Sequence, residues 1–152
     1  MDSTLIPVNL LEIHQANRPG FQPVIGFAAW RVGFLNFSSD LVPERITELQ
    51  RHDESDELFI LLSGDCVLIV GEGNESVKQL FVQKMDPFKI YDIKRGVWHS
   101  HVLSEDAKVL IVENENTSPL NSPRIRLTAG QRAQLLRLTR QALSLEEEPS
   151  AK

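Results

Sequence analysis

The sequence predicts an all-β protein, an antiparallel sandwich or barrel, with one C-terminal α-helix. Eight or so short runs rich in Val, Ile, Leu and Phe lie between residues 24 and 114, and such residues favour pleated strands. Turn formers separate the runs at near-regular spacing: Ser63-Gly64-Asp65, Gly71 to Asn74, Asp86-Pro87, Arg95-Gly96 and Ser104-Glu105-Asp106. Beyond residue 126 the apolar spacing becomes helical: Leu135, Leu138, Ala142 and Leu145, with Leu136 and Leu143 alongside.

The elements follow in order. Residues 1–20 form an N-terminal segment in which LLEIH is a short strand or a turn of helix, ending at Pro19-Gly20. Residues 21–114 form the β-unit, with strands expected over 24–37 (one strand or two), 45–52, 57–62, 65–71, 77–83, 88–93, 97–103 and 108–114. Residues 114–126 are polar with two prolines and read as a connecting loop. Thr128 and Gln131 have the spacing of a capping box, so a helix is expected over about 129–144, within a unit spanning 115–145. Its apolar face is expected to cap the outside of the barrel, with a dimer contact as the less favoured alternative, and Arg132, Arg137 and Arg140 form a solvated face. The tail at 146–152, EEEPSAK, is expected to be disordered.

At 152 residues one domain is expected. Net charge is −5 with no basic stripe, which argues against a nucleic-acid partner. No run of about 18 apolar residues predicts a membrane span. The N-terminal stretch lacks the basic and small-residue features of a secretory signal. Cys66 is the one cysteine, which fits a cytoplasmic location and a small buried hydrophobe.

Chemistry concentrates in HDESDELFILLSG (52–64) and GVWHSH (96–101). Strand alternation groups Ile46, Glu48, Gln50 and His52 on one face, Glu57, Phe59 and Leu61 on another, and Val97, His99, His101 and Leu103 on a third. Turned inward, these faces bring Gln50, His52, Glu57, His99 and His101 together, while Trp98 and Arg51 face outward. Two imidazoles and a carboxylate form a ligand set for a divalent transition metal. Glu48 shares the inward parity unless a bulge turns it out. Phe59, Leu61, Val97 and Leu103 are expected in the core, with Phe59 also near the pocket. Asp53, Glu54 and Asp56 read as a solvated turn, His14 as a hydrogen-bonded structural residue, and Gly64 and Gly96 as turn glycines.

These stretches resemble the two motifs of the cupin superfamily. Gln50, Arg51, His52, four residues, Glu57, six residues and Gly64 match the first motif except at its first His, which is Gln50. Gly96, Val97, Trp98, His99 match the second, with Lys94 in place of its usual proline and Leu103 in place of its usual Asn. The resemblance covers about residues 40–114. It implies a double-stranded β-helix, or jelly-roll barrel. It also implies a metal (Fe, Mn, Ni or Zn) on His52, Glu57 and His99, with Gln50 in the fourth ligand's place. Three outcomes stay open: two His and a Glu suffice, His101 adds a donor, or the barrel holds no metal. The expected function is metal-dependent chemistry of dioxygenase, isomerase or lyase type on a small polar molecule. The alternative is a non-catalytic small-molecule binder with a degenerate site. A homodimer is expected, with Pro23 to Phe37 and the N-terminal segment as contact material.

Overall fold

The computed structural model describes residues 5–144, so Leu145 and the tail at 146–152 lie outside the described residues. The chain runs β1 (Gly20–Phe27), β2 (Trp30–Asn36), a 3-10 turn (Pro43–Arg45), β3 (Glu48–Gln50), β4 (Glu57–Ser63) and β5 (Cys66–Glu72). It continues through β6 (Gln79–Lys84), β7 (Ile90–Ile93), β8 (Trp98–Leu103), β9 (Lys108–Asn114), β10 (Arg124–Arg126) and helix α1 (Ala129–Ser144). Two five-stranded antiparallel sheets face each other as a jelly roll, in the orders β1-β2-β9-β4-β7 and β10-β3-β8-β5-β6.

Alternation builds the layer between the sheets. Leu35, Phe59, Leu61, Leu68, Leu103, Val109 and Ile111 point into it and are buried. Cys66 lies there too, and burial pushes its thiol up to about 12, so it behaves as a small apolar side chain. The opposite face of the second sheet carries Leu49, Val67, Ile69, Trp98 and Val102, and α1 covers it with Leu135 and Ala142. The capping box forms reciprocally. The Thr128 N–H donates to Gln131 Oε1 at 2.9 Å, and the Gln131 N–H donates to Thr128 Oγ1 at 3.2 Å.

Several local expectations change. The 45–52 strand shrinks to Glu48–Gln50, because Pro43 starts a 3-10 turn. Ile46 lies before the strand and packs in the outer cluster with Leu49, so parity does not place it with Glu48. The 114–126 loop contains β10, whose Ile125 pairs with Leu49 and extends the second sheet. LLEIH is neither strand nor helix, and His14 sits exposed, bonded among the described residues to Glu12 at 3.0 Å. Trp98 is outward but buried, its Nε1–H donating to Asn74 O at 2.9 Å with the Arg51 guanidinium 4.5 Å from its ring.

Two glycines are required by backbone geometry. Gly64 turns β4 into β5 at φ +68°, and a Cβ there would sit 2.6 Å from the Ala107 backbone. Gly96 has φ +77°, and its N–H donates to the His52 carbonyl at 2.8 Å. That bond ties the turn before β8 to the segment carrying His52.

Candidate metal centre

His52, Glu57 and His99 come from three separate segments: the coil after β3, the start of β4 and the inner face of β8. Each presents one ligand atom, and the three atoms lie within 4.8 Å of one another. Glu57 Oε2 is 2.9 Å from His52 Nε2 and 2.8 Å from His99 Nε2. Two ligand atoms that are neighbours around an ion at about 2.0–2.2 Å sit about 3 Å apart, so the spacing suits a shared ion. All three residues are buried.

The far side of each ring is also fixed. His99 Nδ1–H donates to the Val97 carbonyl at 2.9 Å. A carbonyl cannot donate, so Nδ1 carries a proton and Nε2 is the nitrogen turned toward the cluster. His52 Nδ1 meets Ser122 Oγ at 2.8 Å. A metal-binding histidine needs this arrangement: one nitrogen anchored, the other offered. The donor set and its anchoring therefore fit a divalent transition metal.

Electrostatics binds the three groups together. Burial works against ionised Glu57, but hydrogen bonds from His52 and His99, and their charge, outweigh it and hold the carboxyl down at about 2. Burial likewise disfavours protonated His52, yet the hydrogen bond and charge of Glu57 win and raise it.

The cluster lies against a cavity of about 560 Å³ open to solvent, within the range of about 300–1,000 Å³ common for small-molecule sites. Gln50 lines it and stands directly across from His99 in the β3–β8 pair, so the two side chains share a face. Glu48 lines it too, but its carboxylate pairs with Arg124 at 2.5 Å. His101 lines the same wall without joining the His52–Glu57–His99 group. Burial lowers it to about 4, and its buried Nδ1 has no hydrogen-bond partner among the described residues. Phe59 is fully buried behind the pocket, its ring against His99 and His101, with centroids 6.1 and 5.8 Å away; it supports the wall and does not line the cavity. Asp56 accepts from Lys94 and the Arg95 N–H, and Glu54 accepts from Asn116 and Asn121. The acidic turn thus secures the rim.

Three participants were missed in the sequence. Arg31 on β2 reaches Glu113 on β9, with Nη2 2.6 Å and Nε 2.8 Å from one carboxylate oxygen. Burial and the nearby charge of Glu57 raise Glu113 despite that pairing. Arg31 also donates to the Thr117 and Glu115 carbonyls, which fastens the loop carrying Ser122. The Arg31–Glu113 pair follows from register, since the two residues are direct partners across β2 and β9. Ser122 had no signal: it stands 70 positions from His52 in a polar loop.

No protein-family profile matches the chain, and no curated protein matches it by sequence. Solved structures do match. A cupin-2 domain protein from Shewanella frigidimarina is 17% identical over 71% of this chain and 88% of its own, with a TM-score of 0.44. Streptomyces PAC13, solved with uridine, is 13% identical over 88% of this chain and 98% of its own, with a TM-score of 0.50. Oxalate decarboxylase from B. subtilis is 11% identical over 75% of this chain and 30% of its own, with a TM-score of 0.50. The chain shares its β-barrel fold with PAC13 and oxalate decarboxylase, and its His–Glu–His cluster faces the cavity. Among the described residues no helix is long and apolar enough to cross a membrane.

Proposed function

We propose that His52, Glu57 and His99 hold a divalent transition metal (Fe, Mn, Ni or Zn) and that the protein acts on a small polar molecule admitted through the cavity. One observation carries this reading: three buried ligand atoms from distant segments converge at a cavity wall, and both imidazoles are anchored from behind. Two His and one carboxylate leave coordination positions open toward a substrate. When bound, such an ion supplies Lewis acidity and lowers the pKa of water. The chain's residues do the rest. Glu57 supplies the negative charge, Val97 and Ser122 set the ring orientations, and Phe59 keeps water from the back of the cluster. Gln50 offers an amide oxygen beside His99, and His101 offers an unpartnered nitrogen further along the wall. The PAC13 structure contains uridine, and oxalate decarboxylase is named for oxalate. Both molecules are small and polar, in keeping with this reading. A single buried cysteine fits a cytoplasmic setting.

Gln50 favours a second reading, a small-molecule binder without an ion, because an amide oxygen is a weaker ligand for these metals than imidazole. Elemental analysis of protein purified without added metal separates the two. The first reading expects close to one transition-metal ion per chain, and a metal-free protein that also takes up none on titration rejects it.

Ser122 gives a finer test. Ser122→Ala removes the group that orients His52 and is expected to weaken metal binding about 10–100-fold. Isothermal titration against a competing chelator measures it. Unchanged affinity would mean that His52 is held by its backbone alone.

A further inference from the structure

The inward positions of β9 are apolar at Val109 and Ile111, as a sheet facing a core requires. The next inward position is Glu113, a carboxylate 6% exposed. Register decides what it meets. Glu113 is the partner of Arg31 across β2 and β9. On its other side Val112 is the partner of Leu58, so one step further along Glu113 stands level with Glu57. Neighbours of this kind on one face have Cβ atoms about 4.5–5.5 Å apart. Arg31, Glu113 and Glu57 thus form a row across the first sheet, and all three line the same cavity.

Such a row is a poor way to stabilise a barrel. Like charges level with one another on adjacent strands repel, and a buried ion pair gains little over apolar packing. The two oxygens of Glu113 also differ. Both Arg31 contacts, 2.6 Å from Nη2 and 2.8 Å from Nε, fall on Oε1. Oε2 has no hydrogen-bond partner among the described residues, yet it is not sealed from solvent as His101 Nδ1 is. Arg31 therefore fixes the carboxylate with one acceptor oxygen open on the cavity, beside the His52–Glu57–His99 group.

We propose that Glu113 selects the substrate: a small molecule carrying an O–H or N–H donor close to the oxygen it presents to the metal, such as a 2-hydroxy acid or a vicinal diol. This rests on the metal site proposed for His52, Glu57 and His99. One oxygen of the molecule faces those three residues, and Glu113 Oε2 accepts the neighbouring hydrogen. Glu57 and Glu113 are adjacent in the sheet, so the donor lies within a few bonds of that oxygen. An acceptor in the donor's place, such as a 2-oxo group, meets a lone pair of Oε2 and is disfavoured. Arg31 is the positioning residue that keeps Oε2 turned to the cavity.

Calorimetric titration of zinc-loaded protein with lactate and with pyruvate tests this, at about pH 8, well above the ordinary carboxyl value of about 4.3. The two probes carry the same charge and differ in a hydroxyl donor against a keto acceptor. Lactate is expected to bind about tenfold more tightly or better, as one hydrogen bond to a charged group allows. Glu113→Gln keeps the shape of the side chain. Arg31 needs an acceptor, so it takes the amide oxygen and leaves the NH2 toward the cavity. The variant is expected to load zinc as the native chain does, while its preference for lactate over pyruvate falls about tenfold or reverses. A chain that takes up no zinc overturns the metal site and this inference with it. A zinc-loaded native chain that binds the two probes alike, or neither, overturns this inference alone, with no variant needed. So does a zinc-loaded variant whose preference is unchanged.

Discussion

His99→Ala is expected to abolish stoichiometric metal binding. His99 is 1% exposed and contributes the one ligand atom from β8, its ring locked by the Val97 carbonyl. No neighbour can replace it. His101 is two positions along the same strand and outside the ligand group, and Gln50 offers only an amide. The loss should exceed the about 100-fold that follows removal of a group that merely orients a ligand. Titration with a chromophoric chelator as competitor reads the affinity directly. Retention of metal at native affinity would place the ion elsewhere and remove the proposed centre. The pH dependence has a definite sign. A metal displaces the proton that Glu57 stabilises on His52, so affinity should fall as pH drops through the raised His52 value, starting above about 6.5.

Glu57→Ala is expected to cost the metal-free protein about 3–5 kcal/mol, the range seen when one member of a buried charge pair is removed. The carboxylate is 5% exposed and receives both imidazoles, so its loss leaves two buried Nε2 atoms without the partner they share. Denaturant unfolding of chelator-treated protein measures the change. The native protein should show a pH window that the variant lacks. Glu57 titrates at about 2 when folded, so its contribution is complete above the ordinary carboxyl value of about 4.3 and is lost as pH falls toward 2. His52 is raised, so its contribution is present below about 6.5 and is lost as pH rises through the higher folded value. The stability contributed by the Glu57–His52 pair should therefore be greatest between about pH 4.5 and 6.5, so the gap between the native protein and Glu57→Ala should be widest there. Equal pH profiles for the two proteins would show that the triad is not coupled in solution.

The same triad shows why parts of this protein are readable from its sequence. Alternation is a local property with a period of two, so which of His99, Ser100 and His101 share a face follows from their order alone. The capping box at Thr128 and Gln131 is local too, and both its bonds form. Parity failed at Ile46 because it assumes an unbroken strand, and the 3-10 turn after Pro43 delays the strand until Glu48. β10 was unreadable because three residues of RIR carry no period; their strand character comes from pairing with Glu48–Gln50.

By itself the sequence determined the β-rich class, the C-terminal helix and the inward parity of His99 and of Glu57. Each of these is set by the residue's own neighbours along the chain. Tertiary structure alone decided that Arg31 meets Glu113 across 82 positions and that Ser122 reaches His52 across 70. It also decided that His101 stands apart from the ligand group and that, among the described residues, the helix covers one sheet and not the other. These outcomes depend on register and on the packing of one layer on another, and neither is encoded at any single position.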